Sequence, residues 1–166
     1  VNKQLSTTLE DSKGNLWLGG SSGGIDVVNV AKNKIATLTT DNGLAYNFVQ
    51  NVMEVNGKIW IATNSGFNIY DPVAKSIMTI GKEQGLVNDT IYGMHGDVRG
   101  NTWFVGPGLG INRIDSTRSK IERAGSQEGL SDDAIIDIRS DKQGNIWVAN
   151  QFKGVDVIDP VNGTVR

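Results

Sequence analysis

Cysteine is absent from the 166-residue chain, which excludes disulfides and thiolate metal sites and leaves the compartment open. Histidine occurs once, as His95. A metal centre or a Ser/His/Asp triad needs oriented partners that a lone histidine does not advertise. No run of 18 apolar residues occurs, so nothing in this sequence reads as a membrane-spanning helix. The net charge is only −2 and the basic residues are scattered singly, so the electrostatic footprint of a nucleic-acid binder is missing. The sequence opens on Val1 without Met or a leader, and is read as a mature or excised segment whose address is not legible.

Glycine, by contrast, is plentiful at 21 residues, beside 38% hydrophobic and 20% charged residues. That mixture suits many short strands and turns rather than disorder. Its order is set by Gly14-Asn15-Leu16-Trp17-Leu18-Gly19, which returns as Gly57-Lys58-Ile59-Trp60-Ile61-Ala62, Gly100-Asn101-Thr102-Trp103-Phe104-Val105 and Gly144-Asn145-Ile146-Trp147-Val148-Ala149. All four tryptophans of the chain are used, at steps of 43, 43 and 44 residues. A second marker keeps the same phase at Gly43-Leu44, Gly85-Leu86 and Gly129-Leu130. A period of about 40 to 50 residues built on short strands predicts one propeller blade per repeat. The fold class is therefore all-β, a β-propeller of about four four-stranded blades with the last incomplete. The blades run over about 1–44, 45–86, 87–130 and 131–166, as a single partial propeller.

Each repeat carries four strand-length runs separated by turn residues. The first runs, at Leu5 to Thr8, Val49 to Val52, Ile91 to Met94 and Ala134 to Arg139, are expected innermost. Hairpins such as Asp11-Ser12-Lys13-Gly14-Asn15 follow, in which an Asp carboxylate accepts turn N–H groups and Gly supplies positive φ. The second repeat shortens this hairpin around Asn56-Gly57, the favoured type I′ pair. Period-two alternation around each Trp makes both faces of the second strand apolar, as a sheet stacked between two others requires. Third strands are expected to begin near Gly24, Gly66, Gly110 and Gly154, and two close with Asp71-Pro72 and Asp159-Pro160. Fourth strands over Lys34 to Leu38, Ser76 to Ile80 and Lys120 to Ala124 are more polar, as outer edges should be. In the last repeat, Gly163 to Arg166 supplies only the beginning of a fourth strand.

The pattern hydrophobic-x-x-hydrophobic-x-x-Asp-x-x-Gly-Asn-hydrophobic-Trp-hydrophobic-Gly, then Gly-hydrophobic and Asp-Pro, resembles the two-component regulator propeller repeat. Residues 5–24 and 135–154 carry it best, and residues 49–66 and 91–110 carry it with one shortened hairpin and one Thr in an aliphatic position. The resemblance implies a periplasmic sensor region of a hybrid two-component system, a class that responds to breakdown products of complex glycans, with any histidine kinase domain outside this segment. The family's unit has roughly seven blades, and propellers of about 4 to 8 exist. A piece of a larger propeller, a four-bladed closure and half of an eight-bladed dimer therefore all stay open. The shortened last strand favours the piece, pairing with a second copy to cover apolar blade faces that carry Trp.

No catalytic residue, cofactor site or metal site is expected. Trp17, Trp60, Trp103 and Trp147 read as core between blades rather than as a sugar-stacking platform. The glycine-rich stretches 19–24 and 106–110 precede strands and lack a following Lys-Ser/Thr, so they read as turns and not phosphate loops. Asp11, Asp97 and Asp141 supply one carboxylate per loop, far short of a calcium shell. The acidic run Glu128 to Asp133 reads as a solvated loop. The loops between blades and those after the second strand share one face, which offers Tyr46, Asn47, Asn64, Asn150, Gln151, Phe152 and Lys153. Amide donors with an aromatic and a cation suit an oligosaccharide, because they pair hydroxyl hydrogen bonding with stacking. The expected function is ligand recognition within a signal receptor, with self-association. A non-catalytic protein-interaction scaffold is the alternative, and a propeller lyase is a third reading that the single histidine disfavours.

Overall fold

The computed structural model describes residues 4–29, 31–86, 89–107, 110–115 and 121–166. Two compact units divide the chain, one over Val1–Ile91 and one over Tyr92–Arg166. In the first unit, β1 (Leu5–Glu10), β2 (Asn15–Gly20), β3 (Ile25–Asn29) and β4 (Lys34–Leu38) form one sheet, and β5 (Val49–Val55), β6 (Lys58–Thr63), β7 (Gly66–Asp71) and β8 (Ser76–Ile80) form another. The second unit holds β9 (Gly93–Gly96), β10 (Thr102–Val105), β11 (Ile111–Ile114) and β12 (Ile121–Ala124), then a three-stranded sheet of β13 (Ile135–Ser140), β14 (Ile146–Asn150) and β15 (Gly154–Ile158). Every sheet is an antiparallel meander in chain order. Among the described residues no α-helix occurs, and short 3-10 turns at Thr40–Asn42, Lys82–Gln84 and Ser126–Glu128 stand before the next sheet's inner strand.

Turn chemistry sets these registers. Asn56 and Gly57 both take positive φ, at 51° and 70°, as a type I′ hairpin demands. The longer hairpins close on their Asp. Asp97 Oδ1 accepts the N–H groups of Arg99 and Asn101 at 2.9 Å each, and Oδ2 accepts the Asn101 amide and the Trp103 indole N–H, both at 2.8 Å. Asp11 binds Trp17, and Asp141 binds Trp147, in the same way. The hairpin carboxylate therefore also aims the tryptophan one strand away. Each 3-10 turn ends on a left-handed glycine, Gly43, Gly85 or Gly129, followed by the buried Leu44, Leu86 or Leu130.

Packing within each unit follows one template. In the first, Trp17 lies among Val49, Val52, Ile59 and Ile61 of the second sheet, with its ring centroid 5.6 Å from that of Tyr70. In the second, Trp103 lies in one cluster with Ile138, Ile146 and Ile158. Trp17 and Trp103 are 2% and 5% exposed, and Trp60 is 2%. Trp147 differs from these three, being 46% exposed on an apolar, Trp-bearing face of the kind the sequence leads one to expect where no further sheet follows. Alternation places it on the same face of its sheet as the others, but among the described residues no further sheet covers that face. The last fourth strand is reduced to a bridge between Ile158 and Val165, with paired bonds between the backbones of Val157 and Arg166.

Candidate functional site

The loops between sheets and the hairpins after the second strands meet at one end of each unit, held by a repeated staple. In the first unit, the Asn47 carbonyl accepts the Gly24 N–H at 3.0 Å. The Asn47 side chain accepts the Thr40 N–H at 2.9 Å and donates to Thr40 Oγ1 at 3.2 Å. Asp89 does the same for Gly66 N and Lys82 N, at 2.5 and 2.9 Å. In the second unit Asp133 takes Gly110 N at 3.0 Å and Ser126 N at 2.7 Å. Gly110 is required at its place, because a Cβ there would stand 2.3 Å from the Ala124 carbonyl oxygen. The acidic run at 128–133 is a solvated loop, as expected, but one ordered by hydrogen bonds: Glu128 accepts Gly125 N–H, Asp132 accepts Ala134 N–H, and Asp133 is the staple.

On this frame the predicted residues fall into two groups. In the first unit Tyr46 is 50% exposed beside the staple. Asn47 is the staple itself, with both polar side-chain atoms engaged. Asn64 Oδ1 accepts the Gln50 amide at 2.8 Å. In the second unit Gln151, Phe152 and Lys153 form the exposed tip of the β14–β15 hairpin, and Phe152 is 75% exposed. The Gln151 N–H bonds the Ala134 carbonyl at 2.8 Å, which ties this tip to the inner strand. Asn150 is buried instead. Its amide donates to Asp156 at 3.0 Å, while its Oδ1 has no hydrogen-bond partner. Burial pushes the Asp156 pKa up, but hydrogen bonds from the Ser131 hydroxyl and N–H and from Asn150 outweigh it and leave the pKa lowered. Asn150 therefore supports the loop from beneath.

Two residues missed from sequence belong with these. An irregularity where the inner strand starts offsets Gln50 in β5 and Ile136 in β13 from the regular pairing, and Tyr92 holds the matching place before β9. Tyr92 is 48% and Ile136 59% exposed. Aligning the four inner runs would have found them, as the residues that follow the buried Val49, Ile91 and Ile135.

Elsewhere the polar groups hold structure. No group of three or more metal-ligating side chains occurs among the described residues, and the hairpin carboxylates bind their own turns. Burial pushes the Asp11 and Asp97 pKa values up, yet the indole, amide and backbone donors win and leave both lowered. The Trp147 indole, then Asn145 and the backbone, hold Asp141 at about 2. His95 Nε2 accepts the Ser140 N–H at 3.1 Å and lies 2.7 Å from Ser140 Oγ. Burial, then the charge of Arg139, lowers its pKa against the opposite pull of Asp97 and Asp137. In the first unit Glu54, at the register place of Ser140, accepts the Ser12 N–H at 2.7 Å and hydroxyl at 2.6 Å. Both are clips between adjacent sheets. A groove of about 360 Å³ opens beside the short last strand, lined by Trp103, Arg113, Ala124, Ile158 and Val165. Arg113 lies over the Trp103 ring, 5.5 Å from its centroid, and is ion-paired to Glu122.

These sheets are the blades of a β-propeller. The chain matches the extracellular domain of BT4673 of Bacteroides thetaiotaomicron, assigned as a hybrid two component system, at 23% identity and a TM-score of 0.82, over 99% of this chain and 25% of that one. The extracellular domain of BT3049 from the same organism, also assigned as a hybrid two component system, matches at 16% identity and 0.81, over 100% and 24%. A virginiamycin B lyase from Staphylococcus aureus matches at 18% and 0.77, over 99% and 55%. The chain thus spans about a quarter of the length of the two extracellular domains, and likeness at these identities shows the fold. No curated protein matches it by sequence. The family described as two component regulator propeller matches residues 129–152. Those residues carry that family's repeat and are one of the four in-phase copies of the sequence pattern.

Proposed function

We propose that this chain is a ligand-recognition segment in the extracytoplasmic sensor region of a bacterial two-component receptor, with a glycan-derived oligosaccharide as ligand and no catalysis of its own. The observation that carries the reading is the stapled loop end. Main-chain bonds tie the loops of each unit, Gly24 N–H to Asn47 O in the first and Gly110 N–H to Asp133 O in the second, with Tyr46 half-exposed in the first unit and Tyr92 and Phe152 48% and 75% exposed in the second. Aromatic faces beside amides and Lys153 suit sugar hydroxyls and ring faces, and a rigid frame lowers the entropy lost on binding. Ligand then shifts the population of receptor arrangements toward the one that signals. The repeat match at residues 129–152 and the extracellular domains among the similar folds support this reading. The lyase among those folds raises the enzyme reading, against which stands His95, half-buried with its Nε2 turned to Ser140.

The test is a glycan array followed by calorimetry on the receptor that contains this segment. Binding of an oligosaccharide, weakened about tenfold by Phe152→Ala or Tyr46→Ala, is expected, since one stacking contact is worth about 1 kcal/mol or more. A receptor that binds no glycan but captures a defined protein through the same loops would replace this reading with the scaffold.

A further inference from the structure

The groove beside Trp103 arises from a difference between two otherwise parallel packings. In the first unit Trp17, Val27 and Ala36 lie side by side across β2, β3 and β4, and Ile59, Tyr70 and Ile77 lie side by side across β6, β7 and β8. The Tyr70 ring packs against Trp17, with 5.6 Å between centroids. In the second unit register places Trp103, Arg113 and Glu122 on the first of these rows, and Ile146, Ile158 and Val165 on the other. Ile158 thus stands where Tyr70 does and Val165 where Ile77 does, and each is the smaller residue. Where one unit holds a phenol ring, the other has a groove of about 360 Å³. Both of its walls belong to the second unit. Backbone bonds of 2.8 and 3.0 Å between Val157 and Arg166 hold Val165 beside Ile158, so the groove lies between two sheets and is not an outer face.

We propose that this groove binds a small uncharged phenol, whose ring takes the place that the Tyr70 ring holds in the first unit. Size permits it. A volume of about 360 Å³ falls within the range of small-molecule sites, and an apolar cavity of about 150 Å³ suffices for a benzene ring. The lining suits a ring, since Ile158, Val165 and Ala124 are aliphatic and the Trp103 indole stands among them, and aromatic rings favour tilted or offset contact with one another. Charge selects the remainder of the ligand. Arg113 and Glu122 stand where the first unit has Val27 and Ala36, and they form an ion pair with Arg113 5.5 Å from the Trp103 centroid. A guanidinium beside a carboxylate offers donors and acceptors at one spot, and a hydroxyl is the group that can both accept and donate. Arg123 and Glu128 add one charge of each sign to the lining. A charged ligand would therefore lose its hydration without meeting a surplus of opposite charge. None of the loop-end residues lines this groove, so the proposal does not depend on what the loops bind.

Fluorine NMR of 4-fluorophenol with the receptor that contains this chain tests it, with 4-methylphenol, the tyrosine side chain as a free molecule, as competitor. A Kd of about 1 mM is expected for a ligand of this size. Toluene, which has the ring without the hydroxyl, should compete about tenfold less well than 4-methylphenol. Ile158→Tyr fills the groove as the first unit does and should weaken binding about tenfold or more. Arg113→Val with Glu122→Ala copies the first unit at the polar side, and should keep ring binding while bringing toluene level with 4-methylphenol. Circular dichroism of each variant checks the fold, and the double variant decides if Ile158→Tyr does not fold. No binding up to about 10 mM overturns the proposal. Binding untouched by Ile158→Tyr overturns it as well, and toluene competing equally well with the unaltered receptor overturns the choice of a phenol.

Discussion

Asp97→Ala and Asp141→Ala remove the same hydrogen bonds from two hairpins of one unit, and the structure predicts unequal losses. Each carboxylate holds two turn N–H groups, an Asn amide and an indole N–H. Turn groups at a surface hairpin regain water when the carboxylate goes, so they cost little. The indoles differ. Trp103 is 5% exposed and its N–H would be left buried without an acceptor, whereas Trp147 is 46% exposed and its N–H can turn to water. An orphaned buried donor costs about 1–3 kcal/mol, and the charge-assisted turn bonds add about 1 more, so Asp97→Ala should cost about 3 kcal/mol. Asp141→Ala should cost clearly less. Urea unfolding followed by circular dichroism measures both, with the slope checked for constancy. Adding Trp103→Phe to Asp97→Ala should recover part of the loss, since the donor leaves with its acceptor. Equal losses for the two Asp variants would refute the view that burial of the indole N–H, rather than the turn, sets the cost.

The pH dependence has two windows. The folded pKa values of Asp11, Asp97 and Asp141 lie below the ordinary 3.8. Their contribution is therefore full above 3.8 and is lost as acid titrates the folded forms, for Asp141 down to about 2; urea midpoints should fall in step as the pH goes from about 5 to about 2.5. His95 is lowered from 6.5, so its stabilisation is present above 6.5 and declines as pH falls through the folded value. His95→Leu, which copies Leu9 of the first repeat, should flatten the midpoint-versus-pH curve just below that point. Gly110→Ala should cost about 3 kcal/mol or more, because its Cβ would meet backbone at 2.3 and 2.9 Å with φ at +62°. Gly154→Ala, with φ at +91° and open space around it, should cost only the backbone term of about 1 kcal/mol in thermal melts.

Much of the fold lies open in the sequence because its determinants are local. Asp-x-x-Gly-Asn and Asn56-Gly57 close hairpins from bonds made within five residues, and alternation around each Trp then sorts the two faces. Strand order follows, since each sheet is a meander. The exposed tips at Tyr46 and Phe152 were legible for the same reason. The staples were not: Asn47, Asp89 and Asp133 bond loops more than twenty residues away, and nothing near them in sequence names Gly24, Gly66 or Gly110 as partners. Ile136 escaped because an irregularity in strand pairing offsets it from simple alternation, and Tyr92 because it stands just outside β9, before the regular pairing begins.

Repetition by itself determined that four tryptophans occupy equivalent positions, since identical local chemistry builds identical strands. Tertiary structure alone decided that they are not in equivalent surroundings. An indole is buried only if another sheet lies against it, and that is a property of neighbours distant in the chain. Trp17 and Trp103 have such neighbours within their units, while Trp147, with the same hairpin and the same aspartate bond, faces water.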